Sequence, residues 1–234
     1  MLQRLDKFVS HATGLPRSEV KRRLNHKQIS LNGQIVTQGK ISVSDKDTIT
    51  FEGKELHLSL PGYFMLNKPA GYTSTREDAN HPSALDLIEE FCNPALHAAG
   101  RLDADTTGLL LLTNDGQWSH QVTSPRHHQH KIYLTTLAEP LTEQALRLLS
   151  EGVMLRGEET PTLPAQVERV DEQIIRLSII EGRYHQVKRM VAAVGNKVTA
   201  LHREQIGTIS LDGNLQPGEY RRLSDQEVSA FLSS

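Results

Sequence analysis

The stretch Ala99-Gly100-Arg101-Leu102-Asp103-Ala104-Asp105-Thr106-Thr107-Gly108 sets two carboxylates on a short glycine-flanked loop, immediately before the apolar run Leu109 to Leu112. A carboxylate mounted at the edge of a buried strand can act as a nucleophile, a base or a fixed charge, and rigid elements with short loops are where such groups are held. Asp, Thr and Gly are equally ordinary turn residues, so spacing alone leaves Asp103 and Asp105 open between chemistry and turn capping. As an acid pair for glycoside cleavage they are expected to serve poorly, pointing to opposite sides of their loop.

The elements that must hold this loop follow from hydrophobic pattern. Tyr63 to Leu66, Leu109 to Thr113, Ile132 to Leu137, Ala165 to Val170, Ile174 to Ile180 and Val198 to Leu201 read as strands. Leu141 to Ser150 reads as a helix capped by Thr142, and Val187, Met190, Val191 and Val194 form the apolar stripe of another before Gly195-Asn196. Ser224-x-x-Glu227 is a capping box that opens a last helix with Val228, Phe231 and Leu232 inward. Strands and helices do not alternate regularly, which predicts an α+β domain with a mostly antiparallel or mixed sheet flanked by helices. No internal repeat or low-complexity tract interrupts the chain.

Ahead of this lies a smaller unit. Leu5, Phe8, Val9 and Ala12 share one helical face, Gly14-Leu15-Pro16 ends that helix, and a second, basic helix follows. Asn32-Gly33 inside Ile29 to Val36 is a strong hairpin signal, and Ile41 to Val43 with Ile49 to Phe51 is read as a further strand pair. Pro61-Gly62 is the linker, which divides the chain into domains 1–58 and 62–234. Net charge is only −2, but residues 1–60 hold 10 Lys and Arg against 6 Asp and Glu, while 16 against 22 remain beyond them. Nucleic-acid footprints are local stripes rather than global excesses. Arg17, Lys21, Arg22, Arg23 and Lys27, with Arg4 and Lys7 ahead of them, are the candidate phosphate contacts. Arg17, Lys21 and Lys27 are expected to share part of a face whose reverse buries Val20 and Leu24; a solvated charged face is the plain alternative.

Other classes are disfavoured. Cys92 is the single cysteine, which excludes a disulfide framework. The cluster Arg126-His127-His128-Gln129-His130-Lys131 lacks the paired spacing of a structural metal site and reads as a polar loop near phosphates or simply in solvent. No run approaches the roughly 18 apolar residues of a membrane span, and the N-terminus lacks a signal-peptide core. A cytoplasmic protein without metal, membrane contact or cofactor is expected.

Four segments, in this order, resemble the RsuA-type RNA pseudouridine synthase family. Leu66-Asn67-Lys68-Pro69-Ala70-Gly71 is similar to its first motif, and Gly100-Arg101-Leu102-Asp103 with Thr106-x-Gly108 to its active-site motif. Lys131-Ile132-Tyr133-Leu134 is similar to its tyrosine-bearing strand, and Glu181 to Met190 (EGRYHQVKRM) to its third motif. Residues 1–60 resemble the S4-like RNA-binding module of the group. Ser124-Pro125-Arg126-His127-His128 and the short C-terminus are most similar to members that act on one uridine of 16S rRNA.

The resemblance implies a reaction and roles. The N1–C1' bond of uridine breaks, the base turns, and C5 takes the place of N1, so no redox cofactor, ATP or metal is required. It makes Asp103 the catalytic carboxylate and Tyr133 the ring that packs on the uracil. Lys188 is the cation beside Asp103, with Arg189 the substitute because arginine is the more usual residue there and the two are not equivalent donors. Arg101, two residues before the aspartate, fills the gap left by the flipped base. Whether Asp103 attacks C1', attacks the base or takes the C2' proton stays open, as do the exact uridine and assembly stage. The implied partner is the rRNA of the small-subunit precursor, bound by a monomer. The alternatives are the same chemistry on 23S rRNA, a non-catalytic S4-type ribosome-assembly factor, and an Asp103/Asp105 hydrolase.

Overall fold

The computed structural model describes residues 3–44, 46–56, 61–89, 96–124 and 127–232. Cys92, Pro125 and Arg126 lie outside them. The chain divides into two compact units, Met1–Gly62 with Glu89–Leu96, and Tyr63–Ile88 with His97–Ser234.

The first unit runs β1 (Gln3–Arg4), α1 (Leu5–Thr13), α2 (Arg17–Asn25), β2 (Ile29–Leu31), β3 (Gln34–Ile35), β4 (Ser42–Val43), β5 (Ile49–Phe51) and β6 (Lys54–Leu56). Leu5, Phe8, Val9, Val20, Leu24, Ile29, Val43 and Ile49 form its core. Gly14 stops α1 at a left-handed φ of 73°, and its N–H returns to Ser10 O. Asn32 and Gly33, at φ 49° and 79°, make the expected tight turn between β2 and β3. Two expectations fail. The strand pair fails because β4 pairs with β1 while β5 lies between β2 and β6. Lys27 does not share the face of α2: the helix has ended at Asn25 and Lys27 takes a positive φ of 60°.

The second unit comprises β7 (Tyr63–Lys68), β8 (His97–Ala98), β9 (Thr107–Thr113), α3 (Gly116–Thr123), β10 (Lys131–Leu137), α4 (Glu143–Glu151), β11 (Gln166–Asp171), β12 (Ile174–Ile179), α5 (Gln186–Ala193), β13 (Val198–Ile206), β14 (Ile209–Ser210), β15 (Tyr220–Arg222) and α6 (Asp225–Ser229), with a 3-10 turn at Ala84–Leu87. The sheet order is β11-β12-β10-β13-β9-β7-β15, with β8 beside β9 and β14 beside β13. Every pairing between these strands is antiparallel except β13 with β9, where His202 faces Thr107 and Arg203 faces Gly108. The fold is α+β with a nearly antiparallel sheet, as expected. Leu109, Leu110, Leu111 and Leu112 are all fully buried, because β9 is covered on both faces, and such strands lose polar alternation.

Helix caps behave as their side chains dictate. Thr142 accepts the Ala145 N–H at the start of α4, and Ser224 and Glu227 form the reciprocal capping box of α6. Phe231 is buried, with its ring 5.5 Å from Trp118, whereas Leu232 is 60% exposed rather than inward, since the helix ends at Ser229. Sequence reading missed α3, whose only strong signal is its cap: Asp115 accepts from Gln117 and Trp118 N–H. It also cut β13 short at Leu201, because the polar run from His202 to Gln205 hides a strand. No helix among the described residues is long and apolar enough to cross a membrane.

Candidate active site

The loop before β9 is clamped from both sides. On one side the Lys68 ammonium, at the end of β7, donates to Pro69 O (2.8 Å), Tyr72 O (2.7 Å) and Ala104 O (3.3 Å). Ser74 Oγ accepts the Leu102 N–H and donates to Leu102 O, each at 2.9 Å. On the other side Arg203, 1% exposed, donates to Leu109 O (2.8 Å) and Gly100 O (3.0 Å). Arg203 reaches the loop because β13 and β9 meet at a glycine. A Cβ on Gly108 would lie 2.4 Å from Arg203 O, and the φ of Gly108 is +98°.

This clamp presents Asp103 to a cavity of about 610 Å³, also lined by Arg101, Tyr133, His185, Lys188 and Arg203. Lys188 Nζ, on α5, donates to Asp103 Oδ2 at 2.9 Å and to Asp105 Oδ1 at 2.6 Å. His185 Nε2 stands 3.2 Å from Asp103 Oδ1. Burial by itself would pull the Lys188 pKa down, but the hydrogen bonds it donates to Asp105 and Asp103 outweigh it and leave the pKa raised, which favours the cation. The same hydrogen bond holds the Asp105 carboxyl below its ordinary range. The expectation that the two aspartates diverge is thus wrong. A turn spans Ala104 and Asp105, residues two apart on extended backbone share a side in any case, and both carboxylates end on one ammonium. A hydrolase would need one of them as a proton donor with a raised pKa, and Asp105 is driven the other way.

Tyr133 sits opposite Arg203 in the β10–β13 register. The guanidinium lies 6.0 Å from the ring centroid, and Nη1 donates to the hydroxyl at 3.5 Å. Tyr133 is 8% exposed. The Arg101 side chain is exposed and makes no hydrogen bond or ion pair to any described residue. Arg189 is turned away from Asp103: it donates to Tyr184 O, Arg156 O and Glu158 Oε1. It is therefore not a substitute for Lys188, because consecutive helical residues point about 100° apart.

Sequence reasoning missed Arg203 and His185 as members of the site. His185 had a signal, lying three residues before Lys188 at the start of the same helix. Arg203 had a weaker one: it alternates with the buried Leu201 along β13. Of the histidine cluster, His130 Nδ1 contacts Ser178 Oγ at 3.0 Å.

The candidate phosphate contacts of the first unit fall into two groups. Arg4 and Arg17 pair with Asp6, Arg22 with Glu19, and Arg23 with Glu19 and Glu52. The side chains of Lys7, Lys21 and Lys27 make no hydrogen bond or ion pair among the described residues.

Comparison with known proteins agrees with this architecture. Residues 62–193 match the RNA pseudouridylate synthase family, and residues 3–49 match the S4 domain. The chain is 50% identical to ribosomal small subunit pseudouridine synthase A of Yersinia pestis over 97% of both chains. It is 46% identical to the protein of that name from Escherichia coli K12, over 98% of this chain and 100% of that one. A solved structure described as a pseudouridylate synthase superposes with a TM-score of 0.72 at 47% identity, covering 97% of this chain and 99% of that one. An aspartate clamped beside a lysine and a tyrosine, in a chain matched along almost its full length, belongs to the RNA pseudouridylate synthase family, with an S4 domain at its N-terminal end.

Proposed function

We propose that this chain isomerises one uridine of 16S rRNA to pseudouridine during maturation of the small ribosomal subunit. It would act as a monomer in the cytoplasm, where that subunit is built. The observation that carries the reading is the ionic contact of Asp103 with Lys188 at the edge of a cavity that also holds Tyr133. The names of the full-length relatives support the small subunit as substrate.

The target nucleotide leaves its stack, at a cost of a few kcal/mol, and the exposed Arg101 guanidinium slides into the space it vacates. Tyr133 packs on the extruded uracil. Lys188 holds the Asp103 carboxylate in place at the sugar through their ionic contact, where cleavage of N1–C1' builds positive charge. The base turns within the cavity, C5 joins C1', the C5 proton is released and N1 gains one. The atoms balance without an oxidant, a nucleotide or a metal.

The test incubates wild-type and Asp103→Asn protein with 16S rRNA transcript and with partially assembled small subunits. Pseudouridine is then mapped by carbodiimide treatment and primer extension. One stop that depends on Asp103 is expected, with RNA affinity of the variant within about tenfold of wild type. Unchanged RNA, release of free uracil, or an Asp103→Asn variant with near-normal turnover would each refute the reading.

A further inference from the structure

Residues 181–185, between β12 and α5, carry more bracing than a short connection needs. Arg183 donates to Glu181 Oε2 (3.1 Å), Thr160 O (2.9 Å) and Pro161 O (2.8 Å). Gln186 Oε1 accepts the Arg183 N–H at 2.8 Å, and Arg189 holds the carbonyl of Tyr184 at 3.1 Å. His185 is kept at a φ of +48°, a conformation that costs energy for a residue with a Cβ and persists only where the surroundings enforce it.

What this bracing fixes in space is a pair of rings. Tyr184 and His185 stack with centroids 3.7 Å apart and planes 21° apart. His185, on the inner side, reaches Asp103. Tyr184, on the outer side, is 76% exposed and its ring has no partner other than His185 among the described residues. Both rings line the cavity that holds Asp103, Arg101 and Tyr133. An exposed tyrosine of this kind contributes nothing to the core, and its uncharged face is no phosphate site.

We propose that the Tyr184–His185 stack is a docking platform for one unpaired nucleobase next to the extruded uridine, setting the register of the RNA strand over Asp103. The proposal deepens the isomerase reading and rests on RNA being the substrate. Extrusion of a nucleotide leaves its neighbours unstacked, and an aromatic face accepts any base, so the contact fixes position without demanding a sequence. Arg189, which the geometry removes from the vicinity of Asp103, becomes a positioning residue of this platform through the Tyr184 carbonyl.

The experiment uses the full-length protein and the small-subunit rRNA, with 5-iodouridine placed singly at each position flanking the modified uridine. Irradiation cross-links a base stacked on an aromatic ring, and mass spectrometry locates the adduct. Conversion is measured in parallel. From one flanking position an adduct on Tyr184 or His185 is expected, lost in Tyr184→Ala and kept in Tyr184→Phe and Tyr184→Trp. Loss of one stacked base raises KM about ten- to hundredfold in Tyr184→Ala, with a smaller fall in kcat, and Arg189→Met shifts KM in the same direction. Conversion by the wild type with no adduct on residues 184–185, or an unchanged KM in Tyr184→Ala, overturns the platform. An adduct without conversion supports the platform and counts against the isomerase reading.

Discussion

Lys68 is fully buried, and its ammonium meets only backbone carbonyls among the described residues. Burial drags its pKa from 10.5 down to about 8; Asp105 and Asp103 restore part of the loss and Arg203 adds to it. The group is therefore held charged below pH 8 against its desolvation, and the sign of the consequence follows. Between the folded pKa and the unfolded value the unfolded chain binds more protons, so the penalty present at neutral pH is relieved as pH rises through that window. A fall of 2.5 pH units corresponds to about 3 kcal/mol, of which about 2 kcal/mol is recovered between pH 7 and pH 10. Urea unfolding followed by fluorescence reads this directly, because Trp118 is the single tryptophan and reports on the second unit alone. Wild type and Lys68→Met share all other titrations, so the stability of wild type minus that of the variant should climb by about 2 kcal/mol from pH 7 to pH 10. A difference that stays level, or falls, would refute the account of Lys68 as a buried charge whose desolvation its neighbours only partly offset.

Gly108→Ala should destabilise the second unit by about 3 kcal/mol or more, since the added methyl meets the Arg203 backbone at 2.4 Å and the φ is unfavourable; a melting temperature within roughly 2 °C of wild type would contradict the tight β9–β13 approach. Changing Lys7, Lys21 and Lys27 together to Gln should weaken rRNA binding and flatten its salt dependence by up to about 3 units of slope, because among the candidate phosphate contacts these are the ones that pair with no described residue. An unchanged slope assigns the RNA footprint elsewhere. Tyr133→Phe keeps the ring that packs on the uracil, so single-turnover kinetics should show a modest loss; a collapse of the rate with binding intact would make the hydroxyl a proton carrier instead.

The parts of the fold legible in sequence are those with a local cause. The Asn32-Gly33 turn, the Thr142 cap and the Ser224 to Glu227 box are decided within a few residues, and the unbroken Leu109 to Leu112 run announces a strand covered on both faces. The loop of Asp103 could be singled out for the same reason. Its partners could not be, because no spacing rule brings residues 133, 188 and 203 to residue 103; Tyr133 and Lys188 were nominated only through motif resemblance. Arg203 escaped notice because a buried guanidinium satisfied by carbonyls looks, in sequence, like one more charge in the polar run from His202 to Gln205. Polarity also concealed the divergence of the two neighbours on α5, where Lys188 turns toward Asp103 and Arg189 toward Glu158.

The order in which these groups leave the ribosome gives the clamp a temporal meaning. Asp103 emerges 85 residues before the lysine that neutralises it and 100 before the arginine on the neighbouring strand, and the parallel β9–β13 contact closes only once that strand exists. Such long-range closure is slow compared with helices and hairpins, whereas the first unit has a separate core built from residues 5–49. A nascent or proteolysed chain that stops before α5 thus presents a loop with one clamp missing and an aspartate with no counter-charge. Fragments truncated there are expected to be inert on RNA rather than weakly active.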